Sequence, residues 1–287
     1  MIEFLKAVLF GIVEGITEWL PISSTGHMIL LDEFVKLDVS PEFWEMFLVV
    51  IQLGAILAVV VLFWNEIWPF GVYGKGKRFR PVSTSGILSY CKKDIWIMWF
   101  KILVACLPAA VVGLLFDEFF ESLFYNGVCV ALALILFGIG FIMIENRNKN
   151  AAVKIHSLSE MTYETAFIIG LFQLIAAIFP GTSRSGATIL GALLIGVSRK
   201  VAAEFTFFLA IPVMLGASLL KIVKFGFTFT GNELMILATG MVTAFIVSVV
   251  VIRFLMGYIK KHDFKVFGWY RIILGIVVLL YFGISGR

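Results

Sequence analysis

Apolar residues run through the chain in long stretches separated by short polar breaks, not in alternation with polar ones. Six stretches approach the roughly 20 mostly apolar residues that a helix needs to cross a bilayer: 47–64, 95–116, 127–144, 201–222, 234–256 and 267–284. Two further regions are apolar but broken. The first runs from 2 to 20, meets Pro21, and resumes from 25 to 35; the second runs from 162 to 179, meets Pro180-Gly181, and resumes from 186 to 197. Proline cannot continue a helix, because it lacks an N–H and its ring clashes with the preceding turn. Each broken region therefore predicts two short helices meeting at a polar tip. Irregular backbone at membrane depth survives only where protein buries it or where it lines a wet cavity, so both regions read as re-entrant helical hairpins. The predicted fold class is an all-α polytopic membrane protein, with six transmembrane helices plus two re-entrant hairpins.

The two halves of the pattern repeat. At a shift of 159, Gly11 falls on Gly170, Glu14 on Gln173, Pro21 on Pro180 and Ser24 on Ser183. At a shift of 162, Glu42-Phe43 falls on Glu204-Phe205 and Leu53-Gly54-Ala55 on Leu215-Gly216-Ala217. Each repeat, 1–145 and 160–287, holds one hairpin and three spans. An odd number of spans turns the second repeat upside down, which is the inverted-topology arrangement. The chain reads as one integral membrane domain, 1–287, with a basic loop at 71–93.

Composition agrees: of 287 residues, 61% are hydrophobic and 15% charged, with mean hydropathy +1.02, against about half and one quarter in soluble domains. The net charge of +4 does not indicate nucleic acid, because the basic residues sit in short loops between apolar runs. Lys75, Lys77, Arg78, Arg80, Lys92 and Lys93 lie between spans one and two; Arg147, Lys149, Lys154, Arg199 and Lys200 between three and four; Lys260, Lys261 and Lys265 between five and six. The alternate loops are sparser, one carrying Asp117, Glu118 and Glu121, the other flanked by Lys221 and Lys224. Cytoplasmic loops carry the lysine and arginine excess. The three basic loops are thus cytoplasmic, the first hairpin enters from outside, the second enters from the cytoplasm, and their tips can meet near the midplane. Cys91, Cys106 and Cys129 have no metal-ligand spacing and imply no disulfide framework. The apolar N-terminus is broken by Lys6 and runs on into Glu14 and Glu18, so it reads as part of the mature protein.

The candidate chemistry is confined to the two tips. Glu14 and Glu18, four apart, share a helix face and can hold a cation. Ser23-Ser24-Thr25-Gly26 then has the make-up of an N-cap and first turn, and a helix N-terminus attracts phosphate. His27, three residues beyond Ser24, is a proton carrier that works near neutrality. At the second tip, residues 180–188 read Pro-Gly-Thr-Ser-Arg-Ser-Gly-Ala-Thr. Gly181 permits a tight backbone, Thr182 and Ser183 can cap, and Arg184 offers a fixed fork of donors suited to phosphate. A charge at membrane depth is costly and marks function.

The motifs Glu14-x-x-x-Glu18, Pro21-x-Ser-Ser-Thr-Gly-His27 and Pro180-Gly-Thr-Ser-Arg-Ser-x-x-Thr188 closely resemble the signatures of bacterial undecaprenyl pyrophosphate phosphatases, also called bacitracin-resistance proteins. The resemblance covers essentially the whole chain. It implies an enzyme of the bacterial plasma membrane that removes the terminal phosphate of a C55 polyprenyl pyrophosphate and recycles the carrier lipid for cell-wall synthesis. It also implies that Glu14 and Glu18 are the acidic pair, that Ser24 and His27 carry the chemistry, that Ser183 and Arg184 hold phosphate, and that a divalent cation, Mg2+ or Ca2+, is required.

On this reading Glu18, Ser24, His27 and Arg184 are catalytic. Ser23, Thr25, Gly181, Thr182, Ser183, Ser185 and Thr188 bind substrate, and Glu14 with Glu18 binds the cation. Ser24 attacks phosphorus with His27 as base; His27 as nucleophile and cation-activated water are the open alternatives. The lipid substrate and the bilayer are the expected partners, a homodimer is compatible with the reading, and the site is expected to open toward the outer face. The rival function is a transporter or flippase of a polyprenyl phosphate or other anion, since inverted repeats with broken helices are also a transporter design. That rival needs Arg184 and the tips but not the reactive set around Ser24. A third class, the acid-phosphatase-like lipid phosphatases, lacks support because its longer Lys/Arg-Pro and His-Asp elements are missing here.

Overall fold

Long uncharged runs have no water to satisfy their backbone at membrane depth, so they coil into helices that satisfy it internally. The structure, a computed structural model, describes residues 1–71, 90–124, 126–149 and 151–285. Among these residues the regular elements are helices: α1 (Ile2–Thr17), α2 (Ser24–Phe34), α3 (Pro41–Val50), α4 (Gln52–Leu62), α5 (Trp64–Ile67), α6 (Lys93–Phe124), α7 (Gly127–Asn148), α8 (Tyr163–Ile178), α9 (Arg184–Leu194), α10 (Arg199–Phe225), α11 (Gly231–Tyr258) and α12 (Lys265–Ser285). No strand forms among them; Phe70 with Cys91 and Ile155 with Val197 make isolated bridges. Most of the basic loop expected at 71–93, including Lys75, Lys77, Arg78 and Arg80, lies outside the described residues.

Six segments among the described residues are long and apolar enough to cross a membrane: Pro41–Leu62, Lys93–Phe116, Gly127–Asn148, Arg199–Phe225, Gly231–Tyr258 and Lys265–Gly283. The chain is a multi-pass membrane protein. The first span starts earlier than its apolar run suggests. Pro41 opens the helix and Ser40 caps it, accepting from the Phe43 N–H at 3.1 Å, a favourable start that hydropathy does not register. That span comprises α3 and α4, joined at Ile51, whose backbone stays near helical (φ −63°, ψ −23°).

Helices approach closely where glycines remove the side chain, as expected when apolar lipid gives no hydrophobic drive to association. A Cβ on Gly11 of α1 would lie 2.6 Å from the Gly240 carbonyl of α11, and one on Gly170 of α8 would lie 2.5 Å from the Ala105 carbonyl of α6. α7 and α12 meet across Gly138 and Gly268. So α1 lies on α11, while α8 lies on α6. At one end of the bundle Glu145 of α7, 1% exposed, receives the Arg199 guanidinium and the Phe264 N–H (3.0 Å), which ties α7, α10 and the start of α12 together. The central core, with Trp19, Phe205, Phe207 and Phe208, packs beside the α1–α2 turn.

Candidate active site

Two short helix pairs carry the polar residues. α1 and α8 have 16 residues each, and α2 and α9 have 11 each. α2 and α9 begin the same way. Ser23 (φ 76°) and Ser183 (φ 69°) are the positive-φ residues other than glycine among those described. Each is an N-cap whose hydroxyl accepts a backbone N–H, Gly26 at 3.3 Å and Gly186 at 3.1 Å. Two serines in a left-handed conformation that costs about 1–2 kcal/mol, one at each tip, mark sites where backbone geometry is held for a purpose. Aligned on these caps, Ser23 falls on Ser183 at a shift of 160, one more than the 159 that set Ser24 on Ser183. Gly181 (φ 88°) supplies an additional residue in the second turn, and Ser24 and Arg184 become counterparts.

The tips meet at Glu18. This carboxylate is 5% exposed. Its Oε1 accepts from Arg184 Nη2 at 2.8 Å, its Oε2 accepts from the Ser24 hydroxyl at 2.7 Å, and its backbone carbonyl accepts from the Ser185 hydroxyl at 2.9 Å. Arg184 also donates from Nη1 to the Thr206 carbonyl of α10 at 3.0 Å, and the Thr206 hydroxyl pairs with that of Thr188 at 2.9 Å. Thr188 donates back to the Arg184 carbonyl, and Ser183 and Ser185 share a 3.2 Å contact. Of the candidate residues, Glu18, Ser24, Ser183, Arg184, Ser185 and Thr188 thus form one connected cluster.

A cavity of about 410 Å³ lies against this cluster. Glu14, Ser24, Thr25, Met28, Gln52 and Pro180 line it, with Glu45 and Lys221 further along its wall. Glu14 is 1% exposed, and its Oε1 has no hydrogen-bond partner within the protein. The Thr182 hydroxyl is likewise buried and unpartnered.

One expected contact is not made. His27 was expected beside Ser24 as its base, but Nδ1 bonds the Ser23 carbonyl at 2.6 Å and Nε2 the Tyr270 hydroxyl at 2.7 Å. A carbonyl only accepts, so in the neutral ring Nδ1 carries the proton and Nε2 accepts from Tyr270. The imidazole stacks parallel on the Tyr270 ring (5.6 Å, 2°), and both nitrogens are taken. The group within reach of the Ser24 proton is Glu18.

Arg271 is the residue that pattern reading missed. It is fully buried in α12 and donates from Nη1 to the Pro21 carbonyl (3.3 Å) and from Nη2 to the Gly181 (3.1 Å) and Thr182 (2.6 Å) carbonyls. One guanidinium thus holds both turns. Its signal was present: a lone arginine inside an apolar span is costly enough to mark a function. Tyr270 and Thr206 carried no comparable signal, because their partners are distant in sequence.

The chain matches the family model described as bacitracin resistance protein BacA over residues 7–277. It belongs to the BacA family. Among curated members it is 66% identical over 282 residues to an undecaprenyl-diphosphatase of Desulfitobacterium hafniense, covering 98% of this chain and 97% of that protein. It is 62% identical over 281 residues to undecaprenyl-diphosphatase 1 of Clostridium acetobutylicum, covering 98% of both. It is 61% identical over 279 residues to an undecaprenyl-diphosphatase of Enterococcus faecalis, covering 97% of both. In this BacA-family member Glu18, Ser24 and Arg184 thus set a hydroxyl, the carboxylate that accepts its hydrogen bond and a guanidinium side by side.

Proposed function

We propose that this chain hydrolyses the terminal phosphate of undecaprenyl pyrophosphate to give undecaprenyl phosphate, returning the carrier lipid to cell-wall synthesis and conferring bacitracin resistance. Family membership sets the reaction. The observation that carries the site assignment is the Ser24 hydroxyl on Glu18, itself paired with Arg184 from the other tip.

Phosphoryl transfer is largely positioning and charge stabilisation. The polyprenyl tail stays in lipid while the head enters the cavity. Arg184, released as Glu18 takes the Ser24 proton, binds equatorial oxygens together with the tip amides and the cavity-lining Thr25 hydroxyl. Ser24 Oγ attacks the terminal phosphorus as its proton passes to Glu18 Oε2. The bond from that phosphorus to the bridging oxygen breaks, and undecaprenyl phosphate departs. Water then attacks the phosphoserine and releases inorganic phosphate, the serine oxygen regaining its proton from Glu18. His27, pinned to the Ser23 carbonyl, orients the residue that precedes the nucleophile.

A divalent cation, Mg2+ or Ca2+, suits the donors present. No cluster of three or more His, Cys, Asp or Glu side chains fit to hold a metal occurs among the described residues, so these residues offer no closed cage. A Mg2+-type site needs only one or two carboxylates, with water and phosphate completing the shell, and Glu14, which lines the cavity and has a buried, unpartnered Oε1, fits that role beside Glu18. Held there by Glu14 and Glu18, a divalent cation would supply neutralisation of charge on the phosphate.

We further infer that α1–α2 and α8–α9 are re-entrant hairpins of an inverted repeat within one domain. The matched helix lengths, the paired Ser23 and Ser183 caps and the exchanged packing, α1 on α11 and α8 on α6, support this reading. The lysine and arginine excess of the basic loops supports a cytoplasmic side for those loops, with α1–α2 entering from outside and α8–α9 from the cytoplasm. The cavity then opens toward the outer face of the bacterial plasma membrane.

The test is phosphate release from undecaprenyl pyrophosphate by the purified, detergent-solubilised protein, with and without chelator. Wild type is expected to release phosphate, chelator to stop it, and Ser24→Ala to lower kcat at least about a thousandfold. Tight binding of the lipid without release would overturn the reading in favour of transport.

A further inference from the structure

Resting on that reading, we propose that Lys221 is a second anchor for the substrate's pyrophosphate, held in reserve by Glu45 until the lipid arrives. Few charges face the cavity. Its charged lining residues are Glu14, Glu45 and Lys221. Arg184 does not line the cavity and already holds Glu18 and the Thr206 carbonyl. A pyrophosphate carries two to three negative charges, and the wall it meets holds two carboxylates and one ammonium. Lys221 is therefore the cavity's own cation.

Its setting suits exchange. Lys221 sits near the end of α10 and Glu45 on α3, so their ion pair crosses between two spans. The pair is long, at 3.3 Å, with Lys221 30% and Glu45 66% exposed. A pair of this kind contributes little to stability, so the ammonium moves to a phosphate at small cost. A flexible four-carbon stem with three rotatable donors serves such a transfer better than a guanidinium fork. Part of the lining is apolar, with Phe120, Ala176, Ala177 and Ile178, which suits the start of a polyprenyl tail. Ser24 takes the terminal phosphate, and Lys221 takes the phosphate that stays on the lipid. The contact is made in both ground and transition states, so it appears in KM and not in kcat.

The experiment measures phosphate-release kinetics on undecaprenyl pyrophosphate and on a C15 polyprenyl pyrophosphate, for wild type, Lys221→Met, Lys221→Arg and Glu45→Gln, with thermal unfolding recorded for each. Lys221→Met is expected to raise KM about tenfold on both substrates, the effect of one lost charge-assisted hydrogen bond, with kcat within about twofold. Lys221→Arg recovers part of the loss in KM, and Glu45→Gln lowers KM by freeing the ammonium. An unchanged KM in Lys221→Met overturns the proposal and leaves Lys221 an interfacial lysine. A loss confined to kcat, or one that tracks a lowered unfolding temperature and is not rescued by arginine, also overturns it. Absence of turnover in the wild type would instead overturn the phosphatase reading itself.

Discussion

Ser183 illustrates how one residue reports on the backbone it occupies. Its φ of 69° is strained for any L side chain, and its hydroxyl caps α9 through the Gly186 N–H. Alanine would keep the strain and lose the cap, whereas glycine would remove the strain and cap nearly as well. Ser183→Ala is therefore expected to lower stability by about 1 kcal/mol, and Ser183→Gly to hold or raise it, measured by thermal unfolding in detergent. Arg271 makes a larger prediction. Removing its guanidinium orphans three buried carbonyls, at about 1–3 kcal/mol each. Arg271→Met is expected to destabilise the protein by at least about 3 kcal/mol. Arg271→Lys, with donors spreading from a single nitrogen, should recover only part of that in the same measurement.

Among the elements, α1 and α8 depend on close backbone approach. A methyl on Gly11 or Gly170 meets main-chain oxygen at 2.6 or 2.5 Å, which a backbone cannot yield cheaply. Gly11→Ala and Gly170→Ala are expected to cost about 1–3 kcal/mol each, as overpacked sites do. Gly216, with nothing within 4 Å of its added Cβ, should accept alanine within about 0.5 kcal/mol. Equilibrium unfolding of the three variants checks this, and equal losses at all three would argue against the tight α1–α11 and α8–α6 seams. Helix starts were partly legible in advance. Ser23-Ser24-Thr25-Gly26 and Thr182-Ser183 announced caps, and Ser23 and Ser183 supply them, one place from the shift that set Ser24 on Ser183. Composition shows that a cap is near, whereas the left-handed φ that selects Ser23 arises from the tertiary position of the turn.

At the level of the molecule, the six spans and both polar tips were readable because membrane depth forces long apolar helices and makes every buried charge informative. What escaped were pairings between distant positions: Arg271 on the turns at 21 and 181, Glu145 on Arg199, and His27 on Tyr270 in place of Ser24. Local pattern carries no record of which span faces which. The central feature, Glu18 of one tip bonded to Arg184 of the other, is such a pairing, and a double-mutant cycle measures it directly. Phosphate release from undecaprenyl pyrophosphate should be measured as kcat/KM for wild type, Glu18→Ala, Arg184→Ala and the double variant. Each single change is expected to cost at least about a hundredfold, and the double variant to be within about threefold of the worse single, because one unit is broken either way. Losses that multiply in the double variant, or single variants with wild-type turnover, would contradict an active site built jointly by the two tips.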